Sequence, residues 1–412
     1  MSTLTIGIIV VFVLGYAFIA MESLTKINKA AIALLMFVFC WVLYMVDPAP
    51  SVQLMHPDFK GTGEQVLSFV NSLITEHLGD TATTLFFLMG AMTIVEIVDQ
   101  NGGFNWVKNV MHSKTKRSLL WKIAFMTFFL SAILDNLTTS IVMIMILRKL
   151  VHDKKDRMIY ASLVIIAANS GGAFSPIGDV TTIMLWNAGM ITAGGVISEI
   201  FIPSLLSMII PALLLQTALK GNIEYDDMGT DLMGDTVVLE FTALQRKLIF
   251  AIGVGGLCFV PLFHYLTELP PFVGILLVLG ILWSVTELFY RQIHRRRGDN
   301  IQFSKRVSNL LSRIDMSTIL FFLGILMAVA CLEEVGVLHE LGGGLNSFFE
   351  GNHYAVTGII GVLSSIVDNV PLVAGSMGMY PIQATGDMAV DGIFWQLLAY
   401  CAGVGGSILI IG

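Results

Sequence analysis

The chain has 412 residues, of which 55% are hydrophobic and only 13% charged, and its mean hydropathy is +0.80. A soluble domain carries roughly 25% charged residues, so these values exclude a water-soluble globular protein and point to a chain that crosses a bilayer several times. The formal net charge of −7 decides little, because orientation follows Lys and Arg in short loops rather than net charge.

Apolar runs of 18 to 20 residues mark membrane spans. In chain order they fall near 5–21, 30–46, 82–98, 158–191, 200–219, 247–265, 271–289, 316–332 and 394–412. The first has no basic leader and no small-residue cleavage site, so it is read as a retained helix. Lys26 and Lys29 follow it and place that side in the cytoplasm, with the N-terminus outside. The stretch Asp47 to Asp80 is acidic and is expected to be an external loop. Lys108, Lys114, Lys116, Arg117 and Lys122 mark an internal loop, as do Arg295, Arg296 and Arg297. The acidic segment 222–240 is expected inside, as part of a cytoplasmic linker over 221–246. The four cysteines (Cys40, Cys258, Cys331, Cys401) lie in apolar stretches without a CxxC or Cys/His cluster, so neither a disulfide framework nor a structural metal site is indicated.

Two segments do not read as simple spans. Residues 119–150 are apolar but flanked on both sides by basic clusters, and centre on Asp135-Asn136. One crossing would put one cluster outside, whereas a re-entrant hairpin keeps both inside with the dipeptide at its tip. Residues 354–380 centre on Asp368-Asn369 and have acidic flanks, which predicts a second hairpin entering from outside. A carboxylate inside a bilayer is costly, by a few kcal/mol or more, and by default marks an ion or proton site.

The two halves align. Thr84 onward (TLFFLMGAMTIVEIVDQNGGF) resembles Thr318 onward (TILFFLGILMAVACLEEVGVL), and Gly171-Gly172 pairs with Gly405-Gly406. Leu24 onward (LTKINKAAIALL) resembles Leu266 onward (LTELPPFVGILL). With the orientations above, the halves are inverted, as in many secondary transporters whose sites lie where helices break near the midplane. The expected fold is an all-α polytopic membrane protein of two inverted repeats. Residues 1–220 hold scaffold helices 1–98, the hairpin 119–150, a broken helix 158–191 and a span 200–219. Residues 247–412 hold the hairpin 354–380 and a broken helix from 394. In this alignment Gly178 pairs with Gly412, so the partner of Asp179 is expected beyond the last residue.

Gly171, Gly172, Pro176 and Gly178 crowd one stretch of the run 158–191 and should unwind it. Freed carbonyls and side-chain oxygens suit a small hard cation. The candidate ion and proton ligands are Asp135, Asn136, Thr138, Thr139, Asn169, Ser170, Asp179, Thr181, Thr182, Asp368, Asn369 and Ser407, with Asp315 as an accessory carboxylate and Na+ held mainly by Asp135, Asn136, Asp179, Asp368 and Asn369. The Asn and Asp residues are also natural helix caps, and Thr138 and Thr139 can bond back to their own helix. The eight histidines fall mostly in loops or at span ends, where solvation is the ordinary state.

The segments LSAILDNLTTSIVM, NSGGAFSPIGDVTTIMLW and SSIVDNVPLVAGSM resemble the motifs of NhaD-type sodium/proton antiporters of the ion transporter superfamily. The resemblance implies a fold like that of the divalent anion/sodium symporters, in which Asp135 and Asp368 stand where those symporters carry Ser. It further implies homodimers and elevator-like movement. The expected activity is exchange of Na+ or Li+ for H+ across a bacterial inner membrane, with the ions competing for Asp135 and Asp368 helped by Asp179, and no cofactor beyond the transported ions and no nucleic-acid partner. The alternative is sodium-coupled symport of a dicarboxylate or similar oxyanion. An enzyme is not expected, because no HExxH or GxSxG motif or Ser/His/Asp constellation is present.

Overall fold

The computed structural model describes residues 2–223, 241–297 and 307–409. Most of the expected linker, and the end of the last expected span, lie outside these residues. Helices follow one another as α1 (Thr3–Ala20), α2 (Glu22–Thr25), α3 (Lys29–Val46), α4 (Ala49–Met55), α5 (Glu64–Gln100), α6 (Asn105–Met111), α7 (Lys116–Leu134), α8 (Asn136–Leu150), α9 (Lys154–Ala173), α10 (Val180–Asn187), α11 (Ala193–Leu215), α12 (Ala243–Thr267), α13 (Pro271–Arg297), α14 (Val307–Leu310), α15 (Met316–Glu334), α16 (Val337–Phe348), α17 (His353–Ser364), α18 (Asn369–Met379) and α19 (Ile393–Gly405). No strand occurs among the described residues; Thr115 and Asn222 form an isolated bridge. This is what lipid demands, because a helix satisfies every backbone polar group within its own segment.

Eight helices among the described residues (α1, α3, α5, α7, α11, α12, α13 and α15) are long and apolar enough to cross a bilayer. The protein is therefore a multi-pass membrane protein. The starts of several helices are written locally. Ser2, Asn28, Thr115, Asp153, Thr192 and Thr242 each accept a backbone N–H of the following helix, and such caps are worth about 1 kcal/mol each.

At each expected hairpin the chain forms two successive helices. α7 and α8 meet at Asp135, and α17 and α18 are joined across 365–368. The expected broken helix also appears: α9 ends at Ala173, residues 174–179 are irregular, and α10 resumes at Val180. One expectation fails. The stretch 47–80 is not an irregular loop, since it contains α4 and the first seventeen residues of the 37-residue α5. Its polar residues sit on a helix because nothing between Glu64 and Leu78 breaks one, and a single glycine such as Gly79 costs only about 1 kcal/mol in a helix.

The chain forms two compact units, each drawing helices from both halves of the sequence. One comprises Met1–Phe86, Asn187–Ile191 and Asp315–Gly412; the other comprises Phe87–Trp186 and Thr192–Ile314. In the first, α15 packs along α3, which also contacts α1, and α17 packs on α19. In the second, α9 packs against α7, α8 and α11, and α12 pairs with α13.

Each unit contains the same set of close approaches. A Cβ on Gly171 would strike the Phe128 backbone, and one on Gly405 would strike the backbone of Gly361. Ser131 Oγ donates to the Ala168 carbonyl at 2.6 Å, and Ser364 Oγ donates to the Ala402 carbonyl at 2.7 Å. Likewise a Cβ on Gly90 would strike Ile275, and one on Gly324 would strike the backbone of Ala33.

Candidate functional site

The first hairpin and the broken helix belong to one unit and build one polar cluster. Asp135 closes α7 and caps α8. Its Oδ1 accepts the Thr138 N–H at 2.9 Å and its Oδ2 accepts the Thr138 hydroxyl at 2.7 Å. Its backbone lies at φ 77°, ψ 157°, a region essentially restricted to glycine and worth about 1–3 kcal/mol of strain. Strain of that size persists only where the surroundings over-determine it; here the carboxylate is anchored at both oxygens by its own helix.

Asn136 ties this tip to the broken helix. Its Nδ2 donates to Asp179 Oδ2 at 2.8 Å and to Asn169 Oδ1 at 3.2 Å. Asp179 is 1% exposed, and its Oδ1 accepts both the N–H (2.9 Å) and the hydroxyl (2.8 Å) of Thr181. Thr182 Oγ1 donates to the Asp179 carbonyl at 2.9 Å. A carboxylate this deep is held ionised by donors or by a cation, and is otherwise protonated. Two further hydroxyls, Thr139 Oγ1 and Ser170 Oγ, are buried without a hydrogen-bond partner. Orphaned hydroxyl oxygens and carboxylates are the kinds of donor a hard cation takes.

The structure thus brings Asn136, Asn169, Asp179 and Thr181 into one hydrogen-bonded network, and Asp135 with Thr138 into a second that adjoins it through the Asp135–Asn136 peptide bond. Thr138 bonds to Asp135 rather than back to a helix carbonyl, and Thr182 does bond to its own helix.

The second hairpin belongs to the other unit. Asp368 caps α18 through Oδ1, which accepts the Val370 N–H at 3.1 Å. Its backbone is unstrained, at φ −50° and ψ 134°. Its Oδ2 faces the ammonium of Lys29 at 3.4 Å, and that ammonium also lies 4.2 Å from the centre of the Phe321 ring. Asn369 begins α18, and Ser407 Oγ donates to the Val404 carbonyl at 2.6 Å, just past α19. Beside this hairpin is a cavity of about 670 Å³, lined by apolar side chains that include Val367, Pro371 and Met379 and by Tyr16, whose hydroxyl is buried without a hydrogen-bond partner.

Two assignments change. Asp315 is an exposed helix cap, accepting the N–H and hydroxyl of Thr318 at 3.1 and 2.6 Å, while Arg313 pairs with Glu96 at 3.9 Å. Solvation also fails as a description of His56 and His77. The Glu334 carboxylate, 6% exposed, bridges His56 Nε2 and His77 Nε2 at 2.8 Å each. The extension of α5 back to Glu64 carries His77 to that contact.

Lys29 is the residue that sequence reasoning read only as a topology marker. A signal existed. In the alignment of Leu24 with Leu266, position 29 pairs with Pro271, an offset of 242 (271 − 29). The close approaches of Gly324 to Ala33 and of Gly90 to Ile275 keep that offset (275 − 33). In that alignment a proline stands where the ammonium is.

Residues 16–405 match the family described as citrate transporters, CitMHS. Among curated proteins, the chain is 41% identical over 407 residues to "Sodium/proton antiporter 1" of Arabidopsis thaliana, covering 99% of this chain and 65% of that protein. It is 40% identical to "Sodium/proton antiporter 2" of the same plant, over 97% of this chain and 88% of that protein. It is 28% identical to "Na(+)/H(+) antiporter NhaD" of Alkalimonas amylolytica, over 98% of this chain and 81% of that protein. The chain thus spans about two thirds of the length of the first of these relatives and most of the other two.

Proposed function

The chain belongs to the CitMHS family, and from that premise we propose that it exchanges Na+ (or Li+) for H+ across an energised membrane, at the Asp135–Asn136–Asp179 network. The observation that carries this reading is the placing of two carboxylates among neutral donors: Thr138 on Asp135, and Asn136 and Thr181 on Asp179. Such a site concentrates negative charge that the dipoles of these donors stabilise without cancelling. A proton or a small hard cation supplies the missing charge, and either one excludes the other.

Relatives at 40–41% identity are named as antiporters, which favours exchange over the oxyanion symport that the family description would also allow. An oxyanion would have to approach two carboxylates against like charge. The paired contacts at Gly171 and Gly405, Ser131 and Ser364, and Gly90 and Gly324 support reading the chain as two repeats. Inverted orientation, an N-terminus outside, homodimerisation, elevator-like movement and a bacterial inner membrane extend the same reading. The second hairpin contributes Asp368 and Asn369 to it.

The test is Na+-induced proton movement in everted vesicles, followed with a pH-sensitive dye after an acid interior has been imposed. Na+ and Li+ should each discharge the gradient in the wild type, and Asp135→Asn should abolish the response. Full exchange at unchanged Na+ dependence in Asp135→Asn would overturn the competition mechanism.

A further inference from the structure

We propose that Lys29 is a tethered cation that competes with Na+ for Asp368, so that the second hairpin is occupied by the protein's own ammonium whenever Na+ is not there. The inference rests on the antiport reading and assigns to one residue a role in cation affinity.

Four observations carry it. First, Lys29 is the first residue of α3, where the helix dipole disfavours a cation by about as much as it favours an anion. Helix stability therefore does not explain a lysine here. Second, the ammonium makes an ion pair to Asp368 across 339 residues of sequence and rests on the face of Phe321, so it is held by tertiary contacts at a predicted ion-binding carboxylate. Third, the pair is built to separate. It is a single contact of 3.4 Å, the side chains are 35% and 25% exposed, and the other Asp368 oxygen is occupied by the Val370 N–H. A locked pair would be shorter, bidentate and dry. Fourth, the other copy has Pro271 at the matching position, and the matching carboxylate, Asp135, is held by Thr138. The ammonium is therefore specific to one of two otherwise similar hairpins.

An ammonium and Na+ each place one positive charge against one carboxylate oxygen, so either neutralises Asp368. The tether makes the ammonium's effective concentration fixed and high, and Na+ must exceed it to enter. Lys29 thus sets a threshold for cation entry at the second hairpin, and on Na+ entry it swings off Asp368 while the Phe321 face still offers it a cation–π contact.

The experiment uses the purified full chain, with 22Na+ binding measured at equilibrium and Na+-dependent exchange measured in proteoliposomes. Lys29→Gln should tighten apparent Na+ affinity roughly threefold to tenfold, the range expected for releasing a partly exposed ion pair, and Lys29→Arg should stay near the wild type. The gain should vanish when Lys29→Gln is made in an Asp368→Asn background. Unchanged or weaker Na+ affinity in Lys29→Gln, or a gain that persists without the Asp368 carboxylate, would overturn the proposal. A second measurement needs no variant: saturating Na+ should speed labelling of the Lys29 amine by an amine-reactive ester several-fold relative to choline at equal ionic strength. Labelling that ignores Na+ would also overturn it. Failure of the antiport reading is distinct, since it would appear as absence of Na+-driven proton movement in the wild type.

Discussion

The two Asp-Asn hairpins share a sequence pattern and differ in how their carboxylates are answered. At Asp135 the partners are dipoles: a threonine hydroxyl and a backbone N–H from the same hairpin. At Asp368 one oxygen takes a backbone N–H and the other faces a full positive charge on α3. Dipoles stabilise a carboxylate without cancelling its charge, so under the proposed exchange the first hairpin takes a mobile cation or proton. The second has a tethered one within reach. Backbone geometry follows the same division, strained at Asp135 and relaxed at Asp368. Duplicated motifs thus need not carry duplicated electrostatics, and the difference is decided by residues outside the motif.

The comparison breaks most visibly at the carboxylates. Asp135→Asn and Asp179→Asn should each lower Na+-dependent exchange in proteoliposomes by about 100-fold or more, which is roughly 2.8 kcal/mol of lost cation stabilisation. Asp368→Asn should cost clearly less, and equal losses at both hairpins would erase the distinction. Asp135→Gly should lose exchange as completely as Asp135→Asn yet unfold at a higher temperature than that variant, because glycine relieves about 1–3 kcal/mol of backbone strain. Asn136→Ala leaves Asp179 Oδ2 and Asn169 Oδ1 without that donor, so a drop of about 1–3 kcal/mol in stability is expected, read as a lower melting temperature in detergent.

Smaller effects sharpen the contrast. Gly171→Ala and Gly405→Ala put a methyl group against backbone in the two equivalent helix crossings, and each should destabilise by about 1–3 kcal/mol. Only Gly171→Ala, beside the first network, should also impair Na+ affinity. The smallest is a paired control. Thr138→Val and Thr318→Val remove the same kind of hydroxyl from the same kind of aspartate cap, each worth about 1 kcal/mol. Thr138→Val should shift the Na+ dependence of exchange several-fold, and Thr318→Val, at the exposed Asp315 cap, should leave it within twofold.

Much of this organisation was legible in the residues. Asp135 and Asp368 stood out because a carboxylate in an apolar run is costly, and the break at 174–179 stood out because glycine and proline cannot sustain a helix there. The start of α5 was not legible. Glu64, Glu76 and Asp80 read as loop because polarity and helicity are separate properties, and an apolar-run search sees only the first. The Glu334 bridge to His56 and His77 and the Lys29–Asp368 pair were hidden for a different reason. Each joins residues separated by more than 250 positions, and no local pattern records which distant charge a side chain will meet.

The packing of α15 on α3 also sets a schedule for biosynthesis. Trp41 Nε1 donates to the Met327 carbonyl at 2.8 Å, 286 residues later in the chain. At about 5–20 residues per second, α3 waits roughly 15–60 s after its own synthesis for that partner. Through that interval the face bearing Ala33, Met36 and Cys40, buried in the finished protein, is turned toward lipid or toward earlier helices. A nascent chain stalled near residue 310, in which α1 but not α15 is in place beside Cys40, should therefore react faster at that thiol with a membrane-permeant alkylating reagent than the full-length chain does.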